Sequence, residues 1–208
     1  MLDVMVLMTC RNYERYGDHA LDSVFRQTVP VGRQRFHDCC GEVNTPIGAA
    51  RARNLLAAGC MYDAPKYIIF LDADDYLPTN YVEELLKVAN GDECVVACPA
   101  RLFGDEQRKV DVRDPVNLDT LLKGNTIHVS ALVPFKLFCE AGGFDPTLES
   151  HEDWDLWCRL AVRGAEFRVC RSTHLWYRRH AGSRSVVNRG GYQKVFARLN
   201  AEYAKEKV

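Results

Sequence analysis

The sequence predicts an α/β fold, a mixed and mostly parallel sheet flanked by helices. Two observations predict it. Short apolar runs rich in β-branched residues, such as Val4 to Met8 and Tyr67 to Leu71, alternate with segments of helical period through the first half. Those runs are apolar nearly throughout, as in strands covered on both faces. In such sheets ligands bind at the carboxyl ends of the strands. One of those ends carries Asp72-Ala73-Asp74-Asp75.

In chain order, residues 3–9 read as a strand and 16–27 as a helix with Ala20, Leu21, Val24 and Phe25 on one face. A break over 28–32 leads to a second strand, 34–39, and a turn-rich stretch, 44–48. Ala49 to Gly59 is an Ala-rich helix with Gly59 at its end. The strand 66–71 follows, then a helix over 81–89 and a strand over 93–100. Residues 104–114 are polar and read as a hairpin on the surface. A short helix over 118–123, a strand over 127–133 and a helix over 134–141 come next, ended by Gly142-Gly143. Residues 152–163 show helical spacing, stopped by Gly164. Strands over 166–170 and 173–177 and a final helix over 191–205 complete the chain.

The 208 residues suit one domain: a half over 1–100, a half over 101–190, and a C-terminal helix. A net charge of −1 gives no overall attraction to polyanions. From Arg163 to Arg198, however, nine basic residues stand against Glu166 alone. That stretch is either a solvated basic face or a surface for phosphate, nucleic acid or anionic lipid. Nine scattered cysteines, an odd number, fit reduced thiols and a cytoplasmic location. No apolar run approaches the ~20 residues that cross a bilayer.

Three carboxylates in a row repel one another, and a hard divalent cation would relieve that repulsion. The competing reading is that Asp74 or Asp75 caps the following helix. On spacing alone the two stand level. A second acidic stretch, Ser150-His151-Glu152-Asp153-Trp154-Asp155, opens a helix. Ser150 with Asp153 fits a capping box, whereas a carboxylate outside the cap is a candidate general base. Trp154 and Trp157 offer a stacking surface there, although Leu156, Trp157 and Leu160 also read as a buried stripe. His180 follows Arg178-Arg179, a pair able to hold phosphate oxygens.

Several of these stretches, in order, resemble the inverting glycosyltransferases of family 2, which have the GT-A fold, a Rossmann-like sheet. Val4 to Asn12 resembles the opening strand and loop, Ser23 to Thr28 a helix end, and Asn44 to Asn54 the Ala-Arg-Asn segment. Leu71 to Asp75 matches Leu-Asp-Ala-Asp-Asp outright. Gly142 to Asp145 and Glu152 to Gly164 match Gly-Gly-Phe-Asp and Glu-Asp-x-Asp-Leu. Arg178-Arg179-His180 resembles the late Arg-x-His element. The resemblance covers roughly residues 3–190, and the conjunction is far more specific than any single motif.

It implies transfer of a sugar from a nucleoside-diphosphate sugar, a UDP-sugar first, to a hydroxyl on a glycan, lipid-linked glycan, protein or nucleic acid. A homo-oligomer is one assembly it allows. Mn²⁺ or Mg²⁺ would be held by Asp74 and Asp72, with His180 a further ligand. Asp153 would be the base, with Glu152 the runner-up. Thr9, Arg11, Asn12, Asp38, Arg51, Arg53, Asn54, Asp72 and Ala73 would face the donor, unless Arg53 instead buttresses the acidic loop. The match departs at residues 36–44. Either Asp38 keeps the base-binding role and a helix–strand unit is missing, or the usual acidic loop is missing. The alternatives are a nucleotidyltransferase, a non-catalytic nucleotide-sugar-binding module, and nucleic-acid binding through the basic half. The first lacks a basic Gly-rich loop near the N-terminus, and the last has no recognition motif.

Overall fold

The computed structural model describes residues 3–10, 14–32, 35–38, 47–181 and 189–203. The elements run β1 (Val4–Cys10), α1 (Glu14–Phe25), β2 (Arg35–Asp38), α2 (Ala49–Ala58), β3 (Tyr67–Asp72) and α3 (Tyr81–Ala89). Then come β4 (Cys94–Ala97), β5 (Ala100–Gly104), β6 (Lys109–Val110), α4 (Leu118–Leu121), β7 (Val133–Pro134) and α5 (Phe135–Glu140). The chain continues with α6 (Glu152–Val162), β8 (Glu166–Val169), β9 (Leu175–Arg179) and α7 (Arg189–Tyr203).

β1 lies between β2 and β3, parallel to both, and β7 joins the far edge of β3 antiparallel. A bridge between Leu132 and Val96 carries the pairing across to β4, which runs parallel with β8. A second sheet has the order β6-β5-β9. Alternation along β1 and β3 divides the core between the two faces. Met5, Leu7, Ile68 and Phe70 pack with α2, α5, α6 and α7. Val4, Val6, Met8, Tyr67, Ile69 and Leu71 pack with α1 and α3. Both faces being covered explains why these strands are apolar throughout.

Two sequence expectations change. The strand expected over 93–100 is two strands in two sheets. Pro99 cannot donate to a ladder; it accepts from the Leu175 N–H instead, at 3.0 Å. The strand expected over 127–133 reduces to Val133 and the Leu132 bridge. Asn125 Oδ1 accepts from the Ile127 N–H (2.9 Å), and the Ala131 N–H bonds to the His128 carbonyl (3.2 Å). This local bonding bends the chain away from a ladder. Ile127, Val129 and Ala131 are nonetheless buried, so the alternation reported burial and not a strand.

The loop entering α6 is fixed from α2. Asn54 Nδ2 donates to the Phe144 carbonyl (2.8 Å), and Asn54 Oδ1 accepts from the Phe144 N–H (2.9 Å). Gly143, at φ +70°, lies so close that a Cβ would sit 2.7 Å from Asn54 Oδ1. Phe144 itself packs edge-on against Phe70 and Phe138. Replacing Asn54 with Ala removes two hydrogen bonds. Urea unfolding of that variant should show stability lowered by about 2 kcal/mol with an unchanged m-value.

Candidate active site

The first carboxylate sits where β1 and β3 end side by side. Thr9 and Asp72 are register partners, and Thr9 Oγ1 donates to Asp72 Oδ1 at 3.5 Å. Arg53 reaches the same oxygen from α2 through Nη2 (2.5 Å), and its Nη1 donates to Glu152 Oε1 at the start of α6. Both Arg53 and Glu152 are 3% exposed. Burial opposes the charge on Arg53, but Asp72 and then Glu152 more than offset this, so its pKa is raised. One buried cation therefore spans the two acidic stretches that lie far apart in sequence.

The chain then turns, the Asp75 N–H bonding to the Asp72 carbonyl (3.1 Å). Ala73 is buried in that turn. Asp74 Oδ2 lies 3.2 Å from His180 Nε2. Burial, and next the nearby Asp72, raise the Asp74 pKa against the pull of His180. Asp75 is 3% exposed, and its Oδ1 accepts from the Arg178 N–H (2.8 Å). Burial, then Asp74 and Asp72, push its carboxyl well above the usual range. Neither Asp74 nor Asp75 caps α3, whose N-cap is Asn80. Arg178 Nε donates to the Asp74 carbonyl (2.9 Å), with the guanidinium over the rings of Tyr16 and Phe103 (4.1 and 4.3 Å). Tyr76 and Trp176 exchange backbone hydrogen bonds. The acidic turn is thus stitched to β9.

At the second acidic stretch the expected capping box does not form. The N-cap of α6 is His151, at φ +59°, with no side-chain cap, and Ser150 Oγ meets His151 Nδ1 at 3.0 Å. Asp153 is half-buried. Its Oδ1 accepts from the Trp154 N–H (2.8 Å), and its Oδ2 from Asn125 Nδ2 (3.2 Å). Trp154 and Trp157 offer no stacking surface to a ligand, because both are fully buried. Trp154 stacks on Tyr192 of α7 and donates from Nε1 to the Leu121 carbonyl. Asp155 is buried too, paired with Arg159.

Asp72, Asp75, Glu152 and Asp153 line one cleft of ≈ 150 Å³, together with Arg53, Asn125, His128 and Tyr177. Asp74 and His180 adjoin it beside Asp72. The structure does not bring Arg51 or Asn54 there. Arg51 is exposed on α2, and both ends of the Asn54 carboxamide are taken by Phe144. Arg11 and Asn12 lie outside the described residues. Asp38 ends β2 in register with Cys10, and its side chain lies outside the described residues. Among the described residues no three His, Cys, Asp or Glu side chains converge to hold a metal ion by themselves.

Asn125 and His128 take positions at this site that the sequence did not mark; Arg178, read from the sequence as able to hold phosphate, binds the Asp74 carbonyl, and Asp75 is a backbone anchor. Asn125 and His128 belong to no motif; Asn125 stands beside Thr126, and His128, like Ser130, only alternates with apolar residues. Burial lowers the His128 pKa to about 4 despite the opposing field of Asp72, so its ring is neutral near pH 7. Its Nε2 is closed off from solvent and has no hydrogen-bond partner among the described residues. A buried orphan of this kind costs about 1–3 kcal/mol.

The model of the family described as glycosyl transferase family 2 matches residues 34–147, more than half of the chain. The chain belongs to glycosyl transferase family 2. An uncharacterized glycosyltransferase of Rickettsia bellii (strain RML369-C) is 32% identical over 108 residues, which is 46% of this chain and 16% of that relative. The chain thus spans about a sixth of the curated relative it matches. S. aureus TarS 1-349, solved in complex with UDP-GlcNAc, superposes with a TM-score of 0.74 at 14% identity, over 99% of this chain and 66% of that one. The mannosyltransferase PcManGT from Pyrobaculum calidifontis, solved with GDP-Man and Mn²⁺, gives 0.69 at 15% identity, over 100% and 66%. In complex with UDP alone, TarS 1-349 gives 0.70 at 14% identity, over 86% and 61%. The fold of this family 2 chain is GT-A, as these likenesses show.

Within that fold Arg53 is the link between β3 and α6. Replacing it with Met removes the buried cation from both Asp72 and the buried Glu152. Chemical denaturation should show a loss of about 3–5 kcal/mol, whereas Arg51→Met should stay within about 0.5 kcal/mol.

Proposed function

We propose that this chain transfers a sugar from a nucleoside-diphosphate sugar to an acceptor hydroxyl, with inversion at the anomeric carbon. The observation that carries the reading is one cleft lined by both Asp72 and the half-buried Asp153. Family membership and the GT-A fold support it. Asp153 takes the acceptor proton as the acceptor oxygen bonds to the anomeric carbon. The bond from that carbon to the diphosphate oxygen breaks on the opposite face. Glu152 is the less suitable base, since it is buried and bound to Arg53.

The residues at the acidic turn fit a divalent cation, Mn²⁺ or Mg²⁺. Asp74 offers a hard carboxylate, His180 an imidazole beside it, and Asp72 a second carboxylate close enough to raise the Asp74 pKa. One or two protein ligands suit an ion completed by substrate phosphates. Bound there, the ion would supply positive charge to the departing diphosphate. Thr9 and Arg53 hold Asp72 for the donor, and Arg178 holds the Asp74 backbone. A UDP-sugar is the first donor to test; TarS was solved with UDP-GlcNAc and PcManGT with GDP-Man. The acceptor class and any homo-oligomer follow from assay. Among the described residues Cys94, Cys98, Cys139, Cys158 and Cys170 form no disulfide, which supports a reducing, cytoplasmic setting. Among the described residues no helix is long and apolar enough to cross a membrane.

Calorimetric titration with UDP, GDP, CDP and dTDP, with and without Mn²⁺, tests the reading. One nucleotide should bind, and chelation should abolish its binding. Asp74→Asn should weaken that binding about tenfold or more. Asp153→Asn should bind the nucleotide as the wild type does while transfer falls by about 10²–10⁴. Failure of every nucleotide to bind would remove the proposal.

A further inference from the structure

His128 is the polar group in the cleft that the fold itself leaves unused. It sits on the irregular segment between Asn125, which holds Asp153, and β7. Its ring shares the cleft with Asp72 and Asp75 and packs against Tyr177, centroids 5.4 Å apart. Nε2 is buried and has no hydrogen-bond partner among the described residues. Native proteins keep few such orphans, and one that lines a cleft calls for an explanation.

The neutral imidazole presents one N–H and one lone pair. A sugar hydroxyl, both donor and acceptor, complements either. A phosphate does not, because Asp72, Asp75 and Asp153 line the same space and would repel it. The position agrees, since His128 lines the same cleft as Asp72 and Asp153. We infer that His128 bonds a hydroxyl of the transferred sugar and is a specificity-determining residue. This rests on the glycosyltransferase reading above.

The test compares wild type, His128→Leu and His128→Gln by calorimetry in Mn²⁺, using UDP against UDP-GlcNAc and GDP against GDP-mannose. His128→Leu should bind the bare diphosphate within about twofold of wild type and the sugar nucleotide about tenfold more weakly. His128→Gln, which keeps a hydrogen-bonding end, should fall between. His128→Leu should melt no lower than wild type, because an apolar side chain removes the orphan. Equal weakening of diphosphate and sugar nucleotide, or weakening of neither, overturns the inference. Should the wild type bind none of the four, the glycosyltransferase reading itself fails, and this inference with it.

Discussion

The arrangement depends on one buried cation. Arg53 contacts Asp72 and Glu152 at once, and so sets how far the end of β3 lies from the start of α6. Buried ion pairs add little net stability, because desolvation cancels most of the attraction. What such a triad supplies here is position. It also separates two adjacent carboxylates by role. Glu152 is bound directly by Arg53, whereas Asp153 accepts hydrogen bonds from two neutral donors, the Trp154 N–H and Asn125. A base must be able to take a proton and let it go. A carboxylate locked to a buried guanidinium does this badly.

The acidic turn is held by other means. Its sheet partners end at Asp72, and from there β9 takes over. Asp75 accepts from the Arg178 backbone, Arg178 bonds back to the Asp74 carbonyl, and His180 meets Asp74. Asp74 and Asp75 both have raised pKa values, led by burial and deepened by neighbouring carboxylates. The turn therefore holds its shape through backbone bonds while its charges remain in conflict. Such a turn has reason to gain a cation.

Most of the scaffold was legible in the sequence, because burial on both faces writes long apolar runs that composition alone exposes. Pro99 was the visible warning that 93–100 is not one strand. Residues 127–133 misled because alternation reports which side chains are buried, and an irregular segment can bury every second residue as a strand does. Asp72, Asp74 and Asp153 were legible as acidic clusters at element ends. Arg53 was legible as a buttress of the acidic loop, but its second contact was not, since Glu152 lies 99 residues away. Asn125 and His128 carry no motif, and Ser150 resembled a cap because spacing cannot reveal that His151 adopts positive φ. Trp154 and Trp157 were ambiguous for a related reason: a helical stripe of aromatics looks the same whether it faces a ligand or α7.

The composition of α2 then acquires a reason. Ala50, Ala52 and Ala57 are buried, and small side chains let the helix approach the sheet closely. Only at that approach can Arg53 bring its guanidinium to Asp72 and still touch Glu152. The next residue, Asn54, projects about 100° further round the helix and binds Phe144 instead. Two neighbouring residues on one helix thus fix the start of α6 twice, once through its first turn and once through the loop that leads into it. Movement of α2 would shift Asp153 relative to Asp72 without altering either carboxylate. The separation of the two carboxylates is therefore a property of how a small-residue helix packs, and substitutions away from the cleft, such as a larger residue at Ala50 or Ala52, would act through it.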